Sequence, residues 1–393
     1  PSFIFLTLGI AAGLAGYFLS KSADKKIAEA ANDVSEAIKE NDVNKEELNW
    51  DDVDQVDLVG LDIGYGLIPL VNPETGGQLL PRVKGVRKKL SAELGFLVQP
   101  IRIRDNLDLE PDVYNIVMNG VIRGKGEIKI GQELAINPGQ VHGSLEGTPT
   151  KEPAFGLDAV WIDPAQRDYA RTLGYTVVDP ATAIATHLNT LLRNNASELI
   201  SHDETQQLLD KVAERSPKLV EDLVPEKLSL ATITKVLQNI LDESVSVRDM
   251  RTILEVLSTE SSRTQDVEEL TAAVRPKLGR MIVQGLVDVD DNLPVMTLNP
   301  ALEQMLNNIL QQSGSSQGLV IEPKLAESLI SALAKNTREI EDQGSAAVLV
   351  VSPTLRPWLS KFIRQRLSDL TVLSCSEIPD DQAVDVVATI DVD

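Results

Sequence analysis

The sequence has few of the residues from which catalytic and metal sites are usually built. It contains one cysteine, Cys375, and three histidines in separate segments of a 393-residue chain. This scarcity argues against a disulfide framework and against a zinc site made of cysteine and histidine. The signatures GxxxxGKS/T, GxGxxG, GxSxG and HExxH do not occur either. We therefore predict no catalytic residue, no metal and no cofactor, and we favour a protein that binds other proteins.

Basic residues are also scarce. Lys and Arg number 37 against 59 Asp and Glu, which gives a net charge of −22. Proteins that bind the phosphate backbone present a net basic face, so this balance argues against nucleic acid as a general partner. The hydrophobic fraction of 42% is ordinary for a globular protein and too high for a disordered one.

The first twenty residues carry no charge and are nearly all apolar. A helix of ~20 apolar residues is long enough to cross a bilayer, so we predict a transmembrane helix at residues 1–20. A signal peptide is the alternative, but it carries its basic residues before the apolar segment. Here Lys21, Lys25 and Lys26 follow it, and the positive-inside rule then places the rest of the chain in the cytoplasm. Because the sequence begins with Pro1, we interpret it as a piece of a longer protein.

Acidic charge is concentrated directly after this segment. Between residues 21 and 57 there are five Lys and twelve Asp or Glu, a net charge of −7. Such a composition is typical of a solvated linker, which we predict at residues 21–55. A second acidic segment closes the sequence, and we predict a tail at residues 381–393.

Residues 82–104 form a basic segment within this acidic chain. The segment has seven basic residues and one acid, Glu93, a net charge of +6. It is either a solvated face or a contact for an acidic partner, and the linker of another copy of the chain would be such a partner. Opposite charges steer association over a screening length of ~8–10 Å. We therefore name Arg87, Lys88 and Lys89 as candidate contacts between subunits.

The pattern of apolar residues predicts an α+β fold of several subdomains. In the N-terminal half, strands are predicted at residues 67–71, 99–104, 113–118 and 121–130. Helices are predicted from residue 83, from Pro164 and from Pro180, the last extending to residue 200. Residues 200–290 are almost entirely helical, with a capping box at Ser201 and Glu204. Beyond them, a small α/β layer is predicted, with helices at 323–341 and 355–367 and strands at 320–321, 346–351, 370–374 and 384–390.

One loop segment, residues 151–161, contains an aromatic residue with Pro153 before it and Gly156 after it. Exposed aromatic side chains in clefts act as anchors at protein interfaces, which is one interpretation of Phe155. The other is a loop phenylalanine that fills the core between two domains. The residue pattern alone favours the core-filling interpretation.

Five segments resemble the FlhA-type export gates of the bacterial flagellum, a family that also contains the export gates of virulence type III secretion systems. The segments are 62–71, 85–90, 100–106, 152–161 and 179–188. The resemblance covers the whole chain and implies four subdomains after the transmembrane helix and linker. The first two form a mixed α/β half, the third is helical and the fourth is a small α/β layer. Their boundaries are 56–130 with 180–199, 131–179, 200–280 and 281–380.

The resemblance also implies a function. It implies a protein of the bacterial inner membrane whose bulk lies in the cytoplasm and assembles into a nonameric ring. This ring is expected to dock flagellar export chaperones that carry filament-type substrates, and to contact other components of the export apparatus. Export itself is driven by the proton motive force. The alternatives are an export gate of a virulence injectisome and a membrane-tethered enzyme that uses the C-terminal α/β layer.

Site residues follow from the same resemblance. The family positions of the chaperone pocket match Glu152, Phe155 and Thr186, and a family glycine at a hinge matches Gly64. Phe155 would supply an apolar anchor, Glu152 would pair or hydrogen-bond with the chaperone, and Thr186 would line the wall. Glu152 stands where an Asp is expected, a change that keeps the charge but lengthens the reach, and Asp158 stands where a Pro is expected after Gly156 and Leu157.

Overall fold

The computed structural model describes residues 56–72, 74, 77–288, 290–313, 321–367 and 369–392. The predicted transmembrane helix at 1–20 and the predicted linker at 21–55 lie outside these residues. Among the helices of the described ranges, none is both long and apolar enough to cross a membrane. The described part combines helices with three four-stranded sheets, which confirms the predicted mixed α/β class.

The first sheet opens the described chain. Its strands are β1 (Val59–Ile63), β2 (Arg102–Asp105), β3 (Val113–Met118) and β4 (Val121–Glu127), in the order β2-β1-β3-β4. Strand β1 is parallel to β2 and antiparallel to β3. The crossover between the parallel strands is helix α1 (Leu79–Leu94), which ends at Gly95 in the left-handed region, with φ at +95°. A side chain at Gly95 would also meet the backbone nitrogen of Arg248 at 2.4 Å, so only glycine fits.

The second sheet is antiparallel throughout. It consists of β5 (Glu133–Ile136), β6 (Thr148–Lys151), β7 (Asp158–Ile162) and β8 (Thr176–Val178), in the order β6-β7-β5-β8. The short helix α2 (Arg167–Thr172) connects β7 to β8. Helix α3 (Pro180–Asn194) then returns to the first sheet. Asp179 caps α3 by accepting a hydrogen bond from the Thr182 backbone N–H, and Pro180 occupies its first turn, as predicted.

A layer of helices follows. It contains α4 (His202–Ala213), α5 (Pro217–Glu221), α6 (Leu230–Asp242), α7 (Met250–Glu260), α8 (Val267–Val274) and α9 (Gly279–Gln284). The predicted capping box is present at the start of α4. The Ser201 hydroxyl oxygen accepts a backbone N–H of the first turn, and the Glu204 carboxylate accepts the backbone N–H of Ser201. Between α8 and α9 a 3₁₀ turn at Arg275–Leu278 contains Pro276, which interrupts the helical segment because proline has no N–H to donate. The buried faces of these helices share one core with the first sheet and with Leu134 and Trp161 of the second.

The third sheet is parallel and closes the chain. Its elements are β9 (Leu293–Leu298), α10 (Pro300–Ser313), α11 (Pro323–Glu341), β10 (Val348–Val351), α12 (Arg356–Arg364), β11 (Thr371–Ser374) and β12 (Val384–Ile390). The strand order is β11-β10-β9-β12. One face of β9 places Leu293 and Val295 in the large core of the helical layer, whereas Met296 and Leu298 on its other face belong to a separate core.

Two strand predictions are wrong. Residues 67–71 do not form a strand, because Tyr65–Leu70 is a 3₁₀ turn containing Pro69, which has no N–H for a sheet ladder. The first strand is instead Val59–Ile63. The strand that opens the third sheet is Leu293–Leu298, which the sequence pattern did not reveal, and Ile321 lies outside any strand. Residue 320 is outside the described ranges.

Candidate docking cleft

The loop between β6 and β7 presents an aromatic side chain to solvent. The ring of Phe155 is 65% exposed, so the interpretation of Phe155 as a core-filling residue is wrong. The Glu152 N–H donates to the Leu157 carbonyl at 2.8 Å, and the Gly156 N–H donates to the Glu152 carbonyl at 2.9 Å. At the base of this hairpin, Asp158 forms an ion pair with Lys151 at 2.7 Å. The loop is therefore a closed turn with Phe155 at its surface.

Glu152 differs from Phe155 in its exposure. Only 2% of Glu152 is exposed, and its carboxylate points back into the loop. Oε1 accepts from the backbone N–H of Ala154 at 2.9 Å, and Oε2 accepts from the backbone N–H of Phe155 at 2.7 Å. Both carboxylate oxygens thus have partners within the same turn.

Behind the loop lies a buried pair of polar rings. A hydrogen bond of 2.8 Å joins the Tyr114 hydroxyl on β3 to Nδ1 of His187 on α3. Burial lowers the pKa of His187, and the negative charge of Glu152 opposes this effect in part. Burial, and then the charge of Glu152, raise the pKa of Tyr114 well above its usual range. The pair is therefore neutral near pH 7, and Glu152 lies near enough to affect both rings.

Two glycines of β4 make room for these rings. A Cβ at Gly126 would lie 2.5 Å from the Tyr114 hydroxyl oxygen, and one at Gly124 would lie 2.9 Å from Nε2 of His187. Any larger residue would displace a ring, so the strand needs glycine at both positions. Sequence reasoning missed the Tyr114–His187 pair, although paired glycines in a strand signal that another group approaches closely.

Thr186 precedes His187 on α3 and is half-buried. The charge of Glu152 acts on His187, the residue that directly follows Thr186 on α3. We use the name docking cleft for the predicted site, which comprises the Phe155 loop, Thr186 and the buried Tyr114 and His187.

Gly64 lies at the end of β1, and its backbone is extended, with φ at −66°. A Cβ there would lie 2.1 Å from the Glu110 carbonyl oxygen, and its N–H donates to the Val113 carbonyl at 2.8 Å. Glycine is therefore required by close packing of two backbone segments and not by an unusual φ. Its role as a hinge stays a prediction.

Most of the basic segment is used within the chain. Arg82 pairs with Asp179 at 2.7 Å, and Arg102 pairs with Asp57 at 3.1 Å. Arg104 also binds Asp57. This acid is the last of those counted between residues 21 and 57, so at least one acidic residue of that stretch meets the basic segment within its own chain.

The three predicted subunit contacts differ from one another. Arg87 is half-buried, and its Nε donates to the Val98 carbonyl at 2.6 Å, so it has a structural role. Lys88 and Lys89 are exposed on α1, and Lys89 lies 3.8 Å from Glu93. The two lysines are the members of this group that face solvent.

A second cluster of charges is buried between the helical layer and the third sheet. We call it the arginine–glutamate cluster, and its members are Glu243, Arg275, Arg356 and Glu377. Arg275 lies 2.8 Å from Glu377 and 3.0 Å from Glu243, and Arg356 binds both of the same carboxylates. Burial alone would raise the pKa of Glu243, but Arg275 and Arg356 lower it overall. Two positive and two negative charges balance, so the cluster serves as a structural joint.

Within the described ranges, no group of three or more His, Cys, Asp or Glu is placed to hold a metal ion. A groove in the C-terminal α/β layer runs along α10, and its lining includes Ala301, Met305 and Ile309. The side chains that line this groove do not titrate.

Comparisons with known proteins agree with this fold. The sequence model of the FHIPEP family matches residues 1–383. A flagellar biosynthesis protein FlhA from Escherichia coli (strain K12) is 43% identical over 88% of the chain, which covers 49% of that relative. The chain therefore spans about half the length of this curated relative.

Solved structures with the same fold come from type III secretion systems. The Chlamydia pneumoniae CdsV protein, in its complex with CdsO, has a TM-score of 0.75 and 22% identity, covering 87% of this chain and all of that one. The nonameric SctV-C of EPEC has a TM-score of 0.69 and 22% identity, covering 86% of this chain and 99% of that one. At this level of identity the likeness establishes the shared fold.

Proposed function

Since the chain belongs to the FHIPEP family, we propose that it is part of an export gate of the flagellar type III secretion apparatus. In this proposal the described domain lies in the cytoplasm beneath the bacterial inner membrane, and a membrane segment anchors it. It docks export chaperones with their bound filament-type substrates and delivers them for export driven by the proton motive force. The observation that carries the docking step is the exposed ring of Phe155 on a closed loop.

An exposed aromatic ring on an ordered loop suits a docking anchor. Phe and other large aromatic side chains contribute a large apolar area on binding, and few rotatable bonds must be fixed. The turn around Phe155 is already closed by backbone hydrogen bonds, so little loop ordering remains for the partner to induce. In this proposal Thr186 on α3 lines the same site, and Glu152 belongs to the Phe155 loop.

The flagellar assignment is preferred to the injectisome. The curated FlhA relative shares 43% of its matched residues with this chain, whereas the two injectisome structures share 22%. An enzymatic role has less support, because the buried Tyr114 and His187 are bonded to each other and turned away from solvent.

Self-association follows as a second part of the proposal. The EPEC relative of the same fold forms a nonamer, and we propose a nonameric ring for this chain. The Chlamydia relative forms a complex with CdsO, so we propose that other components of the export apparatus also bind this domain.

A single substitution tests the docking site. We expect Phe155→Ala to weaken binding of a flagellar export chaperone with its bound filament-type substrate by ~30-fold or more, which is typical for loss of an aromatic anchor. Isothermal titration calorimetry measures the affinity. Because the ring is exposed, thermal unfolding should be unchanged. Tyr169→Ala is the matched control, since Tyr169 is 59% exposed on α2, the helix that connects β7 to β8. Equal affinities of Phe155→Ala and wild type would refute the site.

A further inference from the structure

Glu152 and Phe155 lie three positions apart in one turn, yet their surroundings are opposite. The ring of Phe155 is open to solvent, whereas Glu152 is 2% exposed. A carboxylate that pairs with a docked protein must present an oxygen to it. Here each oxygen of Glu152 already accepts a backbone N–H, from Ala154 and from Phe155.

We infer that Glu152 is a positioning residue, which holds Phe155 in place and does not itself contact the partner. This inference rests on the proposed docking function, which it deepens. The carboxylate fixes two consecutive N–H groups, and the second of them belongs to Phe155 itself. The direction of the Phe155 Cα–Cβ bond is therefore set by Glu152. Hydrogen bonds to a carboxylate are stronger than those between neutral groups, which suits this role.

The rest of the turn is compatible with such a clamp. Gly156 has a φ of +71°, and a Cβ there would meet no atom within 4 Å, so glycine serves the backbone angle and not close packing. The chain can thus reverse directly after Phe155. Behind the clamp, the neutral Tyr114–His187 pair brings no positive charge that would draw the carboxylate out of the turn.

The two hydrogen bonds of the clamp also explain why an acidic residue stands at position 152. A side-chain oxygen that accepts from the N–H groups two and three positions later closes a local turn, and Asp does the same with a shorter arm. Aspartate at position 152 should therefore retain the clamp. Glutamine retains one acceptor oxygen and replaces the other with an NH₂ group that cannot accept. Alanine removes both acceptors.

The experiment compares Glu152→Asp, Glu152→Gln and Glu152→Ala with wild type, each tested for folding by circular dichroism. Affinity is measured by calorimetry for the flagellar export chaperone with its bound filament-type substrate, at about 50 and 300 mM NaCl. Hydrogen exchange of the Ala154 and Phe155 amides in the free protein gives a readout that needs no partner.

We expect Glu152→Asp to stay within about threefold of wild type, and Glu152→Ala to lose about tenfold or more, with Glu152→Gln between them. Amide protection at Ala154 and Phe155 should fall in the same order. The salt dependence of binding should be the same for all variants, because no ion pair with the partner is lost. If Glu152→Ala does not fold, Glu152→Gln, which has the same shape, carries the comparison.

Two results would overturn the inference. One is an affinity loss in Glu152→Gln with unchanged amide protection. The other is a weaker salt dependence in that variant, since both indicate a direct ion pair with the partner. Failure of the docking proposal is seen separately, as unchanged affinity in Phe155→Ala. In that event the amide protection still decides whether Glu152 holds the turn.

Discussion

The molecule uses ionisable groups differently at two of its internal boundaries. Between the helical layer and the third sheet, the arginine–glutamate cluster brings four charges together, with Arg275, Arg356 and Glu377 buried and Glu243 half-buried. In the docking cleft, the buried contact is the neutral hydrogen bond between Tyr114 and His187, and the one carboxylate nearby is bound within its own turn. The first arrangement fixes a joint, because a displaced charge would lose its partner. In the second arrangement, no buried ion pair has to be kept or broken when another protein binds, which suits a docking site.

The largest effect should come from breaking the charged joint. Arg275→Met keeps much of the side-chain volume but leaves Glu243 and Glu377 with only Arg356 between them. Removing one partner of a buried ion pair costs ~3–5 kcal/mol in the free energy of unfolding. Urea unfolding followed by circular dichroism measures this loss.

Arg280→Met is the control for that measurement. Arg280 pairs with Asp381 at 2.9 Å, but both side chains are largely exposed, and exposed pairs contribute ~0–1 kcal/mol. Similar losses for the two variants would mean that the buried cluster is not a special joint, and the contrast between the two boundaries would fail.

The two boundaries also differ in how far they could be predicted. Helix starts depend on neighbouring residues, so Asp179-Pro180 and the Ser201–Glu204 box were found from the sequence. The arginine–glutamate cluster joins Arg275 to Glu377 across 102 positions, and a surface arginine has the same sequence pattern as a buried one. Pairings of this kind depend on the packing of whole layers.

The docking cleft was predictable only in part. Similarity to a known family pointed to Glu152, Phe155 and Thr186, and their role as one docking site stays a prediction. The residue pattern alone placed Phe155 in the core, because a loop phenylalanine has no periodic neighbours that distinguish a buried ring from an exposed one. The burial of Glu152 was not predicted, since it depends on the way the loop folds back to bring the Ala154 and Phe155 amides to its carboxylate.

A smaller effect should appear at the cleft when the pH is lowered. The pKa of His187 in the folded state is below its unfolded value of about 6.5, so the unfolded chain binds more protons in the window between the two. Stability should therefore be lost as the pH falls from about 6.5 through the folded-state pKa, by ~1.4 kcal/mol for each pH unit of that window. Urea unfolding at a series of pH values measures this slope.

His187→Gln should remove this part of the pH dependence, although the loss of the Tyr114 bond lowers stability by ~1 kcal/mol at every pH. The exposed His202, changed to Gln, is the control and should leave the slope as in wild type. An unchanged slope in His187→Gln would show that a different group titrates, and the neutral character of the cleft would then be in doubt.

The smallest effect on stability is expected where charge is fully exposed. Lys88 and Lys89 lie on the solvent side of α1, whereas the neighbouring Arg87 holds the Val98 carbonyl and is left unchanged. The double variant Lys88→Gln, Lys89→Gln should have a free energy of unfolding within ~0.5 kcal/mol of wild type.

The same double variant tests assembly. If the acidic linker of a second copy meets these lysines, self-association of the full-chain variant should be weaker than that of wild type at low salt and equal to it at high salt. Light scattering across a salt series measures this, with Lys211→Gln, Lys335→Gln as a double control on other exposed helix positions. Salt-independent assembly of wild type, or equal weakening in the control, would refute the hypothesis of an electrostatic contact between subunits at Lys88 and Lys89. Charge would then matter in this molecule only where it is buried.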